Sequence, residues 1–170
     1  MTLFRRKFRI ESARRPGFDY ATTGHYFFTI CIKNRHPVFG SVYQKKMLLS
    51  LSGKLAWECW RKIPYHYPGV RLGSFIVMPD HVHGIIILSD QYTNIEENPK
   101  LMGATGRIPT LGNVIGSFKS AVTKKIHETG YPGFRWLPRY HDHIIRDEHE
   151  RILIERYIPN NPRRWRDPSS

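Results

Sequence analysis

Two histidines separated by one residue, His81 and His83, stand at the head of the apolar run Ile85-Ile86-Ile87-Leu88. Side chains alternate along an extended chain, so both imidazoles fall on one face and Val82 on the other. Rings so placed suit a shared divalent cation, and they suit equally well two strand histidines held by ordinary hydrogen bonds. A metal needs a further donor, and two groups offer one: His141, Asp142 and His143, which with the first pair make a zinc-type set, or Asn160 and Asn161. Tyr157 precedes Asn161 by four residues, a spacing that puts both on one helical face. A phenol, with a pKa of about 10, is a weak nucleophile at neutral pH and needs help from a metal or a base. Alone, Tyr157 reads as a core or interface tyrosine.

Elements that position these groups follow from hydrophobic periodicity. His25 to Ile32 is rich in aromatic and β-branched residues and reads as a central strand, apolar on both faces. From Met47 to Ile63 the apolar positions recur every three or four residues, which predicts an amphipathic helix closed by Pro64. Arg71 to Leu88 gives two apolar runs broken at Pro79-Asp80, an antiparallel strand pair with the histidines opening the second strand. Ser89 to Pro109 lacks a period and reads as a long loop. Leu111, Ile115, Phe118, Val122 and Ile126 mark a second helix, Trp136 to Ile145 a further strand, and Asp147 onward a last helix ending near Tyr157. Strand, helix, strand, strand, helix, strand is the ferredoxin-like split β-α-β plan. The expected class is therefore α+β, an antiparallel sheet with an additional C-terminal helix carrying the tyrosine. Pro159 lies between Tyr157 and Asn161 and predicts a kink there.

The chain has 170 residues, the length of one domain, with 27 Lys and Arg against 14 Asp and Glu for a net charge of +13. Such an excess is the footprint of a polyanion binder, nucleic acid before anionic membrane. Residues 1–24 read as a basic arm and 25–170 as a single domain. The two cysteines, Cys31 and Cys59, sit in apolar patterns and read as buried thiols of a reducing compartment. No apolar run approaches the ~20 residues that span a bilayer, and the N-terminus lacks the apolar stretch of a signal peptide. A cytoplasmic protein with no membrane partner is the expectation.

Four blocks in order, Met78-Pro-Asp-His-Val-His83, Ile115-Gly-Ser-Phe-Lys-Ser120, His141-Asp-His-Ile-Ile-Arg146 and Tyr157-Ile-Pro-Asn-Asn-Pro162, carry a resemblance. The chain resembles the single-tyrosine HUH transposases, and within them the REP-associated tyrosine transposases, over nearly its whole length. That resemblance implies Tyr157 as nucleophile and His81, His83 and Asn161 as ligands of Mg²⁺ or Mn²⁺. It implies cleavage of single-stranded DNA at REP-like hairpins through a 5′-phosphotyrosine, for DNA transposition. It leaves a homodimer open, since relatives in the broader family dimerise.

DNA contacts are expected from Arg5, Arg6, Lys7, Arg14 and Arg15 on the arm, Lys119, Lys124 and Lys125 on the second helix, and Arg139, His143 and Arg146 around the last strand. Arg163, Arg164 and Arg166 add charge after the last helix, and Trp136, Tyr140 and Trp165 are candidates to stack on unpaired bases. Two readings compete with the enzyme: a non-catalytic hairpin or single-strand DNA-binding protein on the same fold, and a zinc hydrolase acting on RNA with His141 or His143 as ligands.

Overall fold

A computed structural model describes residues 23–89 and 109–166. Its main sheet has four antiparallel strands in the order β4-β5-β1-β6. These are β1 (Gly24–Cys31), β4 (Val70–Met78), β5 (His81–Leu88) and β6 (His141–Ile145). A separate hairpin, β2 (Gly40–Tyr43) and β3 (Lys46–Leu49), follows β1. The helices are α1 (Leu51–Arg61), α2 (Ile63–His66), α3 (Leu111–Glu128), α4 (Glu148–Tyr157) and α5 (Asn161–Arg164). The expected split β-α-β order is present.

Alternation along β1 divides the molecule into two layers of packing. Tyr26, Phe28 and Ile30 join Val82 and Ile86 of β5 in a core with Ala56 and Trp60 of α1 and Ile115, Phe118 and Val122 of α3. Phe27, on the opposite face, joins Ile85, Ile145 and the α4-side residues Ile154, Tyr157 and Ile158. Thus α1 and α3 cover one face of the sheet and α4 the other. Gly84 makes the first core possible beside the histidines: a Cβ there would stand 2.8 Å from the Phe28 ring and 2.9 Å from Phe75. Those rings pack with Trp60, which stacks on Phe75 at 4.3 Å between centroids and 8° between planes.

Three expectations shift. Met47 to Leu49 form β3, and α1 starts only at Leu51, with Ser50 as N-cap accepting the Gly53 N–H at 3.1 Å. The hairpin turns at Gln44 and Lys45, both with positive φ (48° and 61°), the pairing of a tight strand-matched turn. Neither residue announces such a turn as Asn-Gly would. The last strand spans only His141–Ile145; Trp136 makes an isolated bridge to Ile32, with Pro138, which lacks an N–H, in between. Of the basic arm, residues 1–22 lie outside the described residues, with Arg5, Arg6, Lys7, Arg14 and Arg15 among them, and Gly24 already belongs to β1. The long loop is described only at its ends. No helix among the described residues is long and apolar enough to cross a membrane.

Candidate active site

Strand register sets the histidines. Thr29 of β1 pairs with His83 and Cys31 with His81, so both imidazoles stand on the α4 face of the sheet with Phe27. Both rings are buried. Their Nε2 atoms are 3.0 Å apart, with the rings edge to face at 75°. The outer nitrogens are held from either side: Asp80 Oδ1 lies 2.5 Å from His81 Nδ1, and Thr29 Oγ1 lies 2.7 Å from His83 Nδ1. Asp80 is wholly buried, and its Oδ2 faces Arg35 Nε at 2.8 Å, an ion pair off the line of a hydrogen bond. The turn that carries Asp80 is fixed through the backbone. Ile32 N–H donates to the Asp80 carbonyl at 2.8 Å and Phe39 N–H to the Pro79 carbonyl at 3.0 Å.

Burial pushes both imidazoles below their ordinary pKa. At His83 the neighbouring His81 and Arg35 push the same way, while at His81 the Asp80 carboxylate opposes the shift. Both rings are therefore neutral near pH 7, the form that ligates a metal. Two neutral imidazoles with converging Nε2 atoms and anchored Nδ1 atoms fit a divalent cation.

Tyr157 covers the pair from α4. Its ring centroid is 5.7 Å from that of His83 and 6.2 Å from Phe27, which itself stacks on His83 at 5.6 Å and 23°. One chain thus supplies both the tyrosine and the histidines. Burial raises the phenol above its ordinary pKa, and the Arg164 guanidinium and a hydrogen bond with the Asn161 side chain pull it back down. Arg164 Cζ lies 5.7 Å from the Tyr157 ring centroid. Trp165 adds a flat, partly exposed wall, its ring 6.0 Å from His81.

Tyr157 and Asn161 do not share one continuous helix. α4 stops before Pro159, and the Asn160 and Asn161 N–H groups donate back to the Tyr157 and Ile158 carbonyls at 3.2 Å each. In this tight turn the N–H that proline lacks is not needed, and Asn161 opens α5. The two residues stay in contact because Asn161 Nδ2 donates to the carbonyls of Tyr157 at 2.9 Å and Ile158 at 3.1 Å. The turn at Pro159 therefore keeps the Asn161 side chain against the Tyr157 backbone.

Among the described residues no group of three or more His, Cys, Asp and Glu could hold a metal. The zinc-type set is not assembled: His141 lies one strand further out, opposite Thr29, and His143 Nε2 is 2.6 Å from Glu150 Oε1. Glu150 Oε2 also accepts the Arg146 N–H at 2.9 Å, so this carboxylate ties α4 to the end of β6. Lys119 donates to the Leu137 and Pro138 carbonyls at 2.7 and 3.1 Å, and burial lowers its pKa. Lys119 and Lys124 line an open cleft of about 750 Å³ with Thr123, His127 and Trp136. Lys125 lies on the same helix, across the sheet from the histidines, whereas Arg139 and Arg146 are exposed at the two ends of β6. Asp80, Thr29 and Arg35 do not stand out in the sequence as site residues. Asp80 is adjacent to the histidine motif, but only strand register and the fold of the 32–39 segment bring in the other two.

The fold has solved counterparts among transposases. The structure of a REP-associated tyrosine transposase bound to a REP hairpin is similar with a TM-score of 0.60 at 22% identity, covering 86% of this chain and 71% of that one. A candidate transposase of Deinococcus radiodurans gives a TM-score of 0.50 at 20% identity, covering 85% of this chain and 93% of the other. No family model matches the chain. A protein of Haemophilus influenzae described as uncharacterized is 36% identical over 160 residues, 91% of this chain and 89% of its own length, and the chain belongs to one family with it.

Proposed function

We propose that the protein is a metal-dependent single-strand DNA nuclease and strand transferase that acts at hairpin DNA, with Tyr157 as nucleophile. The observation that carries this reading is the Tyr157 ring 5.7 Å from His83, within the same chain as the converging histidine pair. A fold neighbour bound to a REP hairpin and the net charge of +13 support DNA as the substrate. His81, His83 and Asn161 would hold Mg²⁺ or Mn²⁺. When bound, the cation supplies Lewis acidity at a phosphate oxygen.

The chain's own residues account for the rest of the chemistry. The Tyr157 phenol gives up its proton and its oxygen forms a bond to the scissile phosphorus. The bond to the 3′ oxygen breaks, that oxygen takes up a proton as a 3′-OH, and the phosphate remains on the tyrosine as a 5′-phosphodiester. The ester conserves the bond energy, so a second 3′-OH can reseal the strand by the reverse step. Arg164 favours the phenolate, and Asn161 fixes the Tyr157 end of α4 through its hydrogen bonds to the Tyr157 and Ile158 carbonyls. Trp165, with one face near His81, offers a surface for an unpaired base.

The test is cleavage of labelled single-stranded hairpin DNA with Mg²⁺ or Mn²⁺, comparing wild type with Tyr157→Phe. Wild type should cleave, and Tyr157→Phe should lose cleavage while binding the hairpin with near wild-type affinity. Tight binding by wild type with no cleavage under either ion would replace this reading with that of a hairpin-binding protein.

A further inference from the structure

The β2–β3 hairpin stands outside the main sheet, and one of its faces serves neither the core nor the histidine site. Ser41 pairs with Leu48, Val42 with Met47 and Tyr43 with Lys46. Alternation sends Met47 and Leu49 toward the main core and leaves Ser41, Tyr43, Lys46 and Leu48 exposed on the opposite face. Tyr43 is 63% exposed, with Lys46 directly across from it. A two-stranded hairpin is marginal by itself, but this one is rooted. The Ser50 N–H donates to the Phe39 carbonyl at 2.9 Å, the Ser50 hydroxyl donates to the Val38 carbonyl at 2.7 Å, and Phe39 is wholly buried. At the tip, Gln44 and Lys45 hold left-handed φ values that Asn or Gly would adopt more easily. A cationic side chain is thus kept there at a conformational cost, as happens at functional sites.

Charge at this end of the chain has one sign. From Tyr20 to Trp57 the sequence holds no Asp or Glu, and Lys45 and Lys46 are exposed. β3 runs beside α5, which contributes the exposed Arg163 and leads into the partly exposed Trp165. The same short helix carries Arg164, against the Tyr157 ring, so the hairpin adjoins the candidate site. An exposed ring set among cations is the chemistry that takes unpaired nucleic acid, because each base offers a face to stack on and each phosphate a charge to neutralise. Bases inside a duplex stem already stack on one another and leave Tyr43 no face. A second copy docking face to face would set Lys45 and Lys46 against the same two residues of its partner, like charge on like charge. We propose that the outer face of the β2–β3 hairpin, with Arg163 beside it, holds the unpaired strand that flanks a DNA hairpin. Tyr43 stacks on a base, and Lys45, Lys46 and Arg163 neutralise phosphates. The assignment rests on DNA as the substrate and names the part of it that this surface takes.

The experiment measures binding of the full chain to two DNAs, a hairpin with single-stranded flanks and the same stem without them, at several salt concentrations, with gel filtration beside it. Wild type should bind the flanked hairpin more tightly. Tyr43→Ala should weaken that binding about 5- to 150-fold and leave the bare stem unaffected, whereas Tyr43→Phe should behave as wild type. Lys45→Ala with Lys46→Ala should make the dependence of log affinity on log salt shallower by ~1.4 on the flanked hairpin, at ~0.7 for each cation. All of these positions are exposed, so the variants should melt as wild type does. Wild-type affinity and slope in both the Tyr43→Ala and the double-lysine variant overturn the proposal, as does an equal loss on the two DNAs. A changed oligomeric state with unchanged DNA affinity overturns it in favour of an interface between copies. If wild type binds neither DNA, the substrate reading fails and this proposal with it; if wild type binds but does not cleave, only the nuclease reading fails.

Discussion

Tyr157 is a buried phenol made a weaker acid by its surroundings, and Arg164 is the nearest charge that favours its ionisation. A cation near an aromatic ring at an exposed position contributes ~0.5–1 kcal/mol. Arg164→Ala should therefore slow cleavage about 2- to 5-fold, and the pH of half-maximal rate should move up; an unchanged pH profile would remove Arg164 from this role. The histidines make a prediction about stability. Their folded pKa values lie below the ordinary value of ~6.5. The unfolded chain thus binds more protons as pH falls through that value, and stability present above it is lost on acidification. Asp80, Arg35 and the partner ring are the groups that face them. Thermal melts from pH 7 to pH 5 should show a falling midpoint, with a shallower fall in His83→Gln.

At the scale of elements, Gly84 is where core and site constrain one another. A Cβ there runs into Phe28 and Phe75, and the next residue back is His83. Gly84→Val should overpack the site by about 1–3 kcal/mol, on the order of 2–12 °C in melting temperature. Glu150 links β6 to α4 through His143 and the Arg146 N–H, so Glu150→Ala should reduce cleavage by loosening the tyrosine helix while hairpin affinity stays near wild type. Much of this layout is legible in the sequence. The Pro79-Asp80 break and the alternation after it locate β4 and β5, and the three-and-four spacing from Leu111 locates α3. The β2–β3 hairpin is hidden because Gln44 and Lys45 adopt positive φ without the usual turn residues, and because Met47 and Leu48 mimic the start of a helical stripe. His81 and His83 stand out in the sequence by their spacing, whereas Tyr157 and Asn161 join them as a set only through the four-block resemblance. Thr29 does not stand out, since only the β1–β5 register brings it opposite His83.

Among the described residues, basic side chains stand on both sides of the main sheet. Lys124 and Lys125 ride on α3, on one side of the sheet, whereas the histidines and Tyr157 lie on the other under α4. Arg139 and Arg146 bracket the edge strand β6 between them. A single strand that neutralises both groups has to pass around that edge. Removing one cation that neutralises a phosphate should make the dependence of log affinity on log salt shallower by ~0.7. Arg139→Ala with Arg146→Ala should thus reduce the slope by about 1.4, read from hairpin binding at several salt concentrations; an unchanged slope would take the DNA away from the β6 edge.

All of these scales converge on one covalent bond. The most direct test is to trap the protein with single-stranded hairpin DNA and Mn²⁺, digest it, and locate the nucleotide-bearing peptide by mass spectrometry. The expected product is a 5′-phosphodiester on Tyr157. A nucleotide found on another residue, or hairpin DNA cleaved with no covalent adduct, would contradict it.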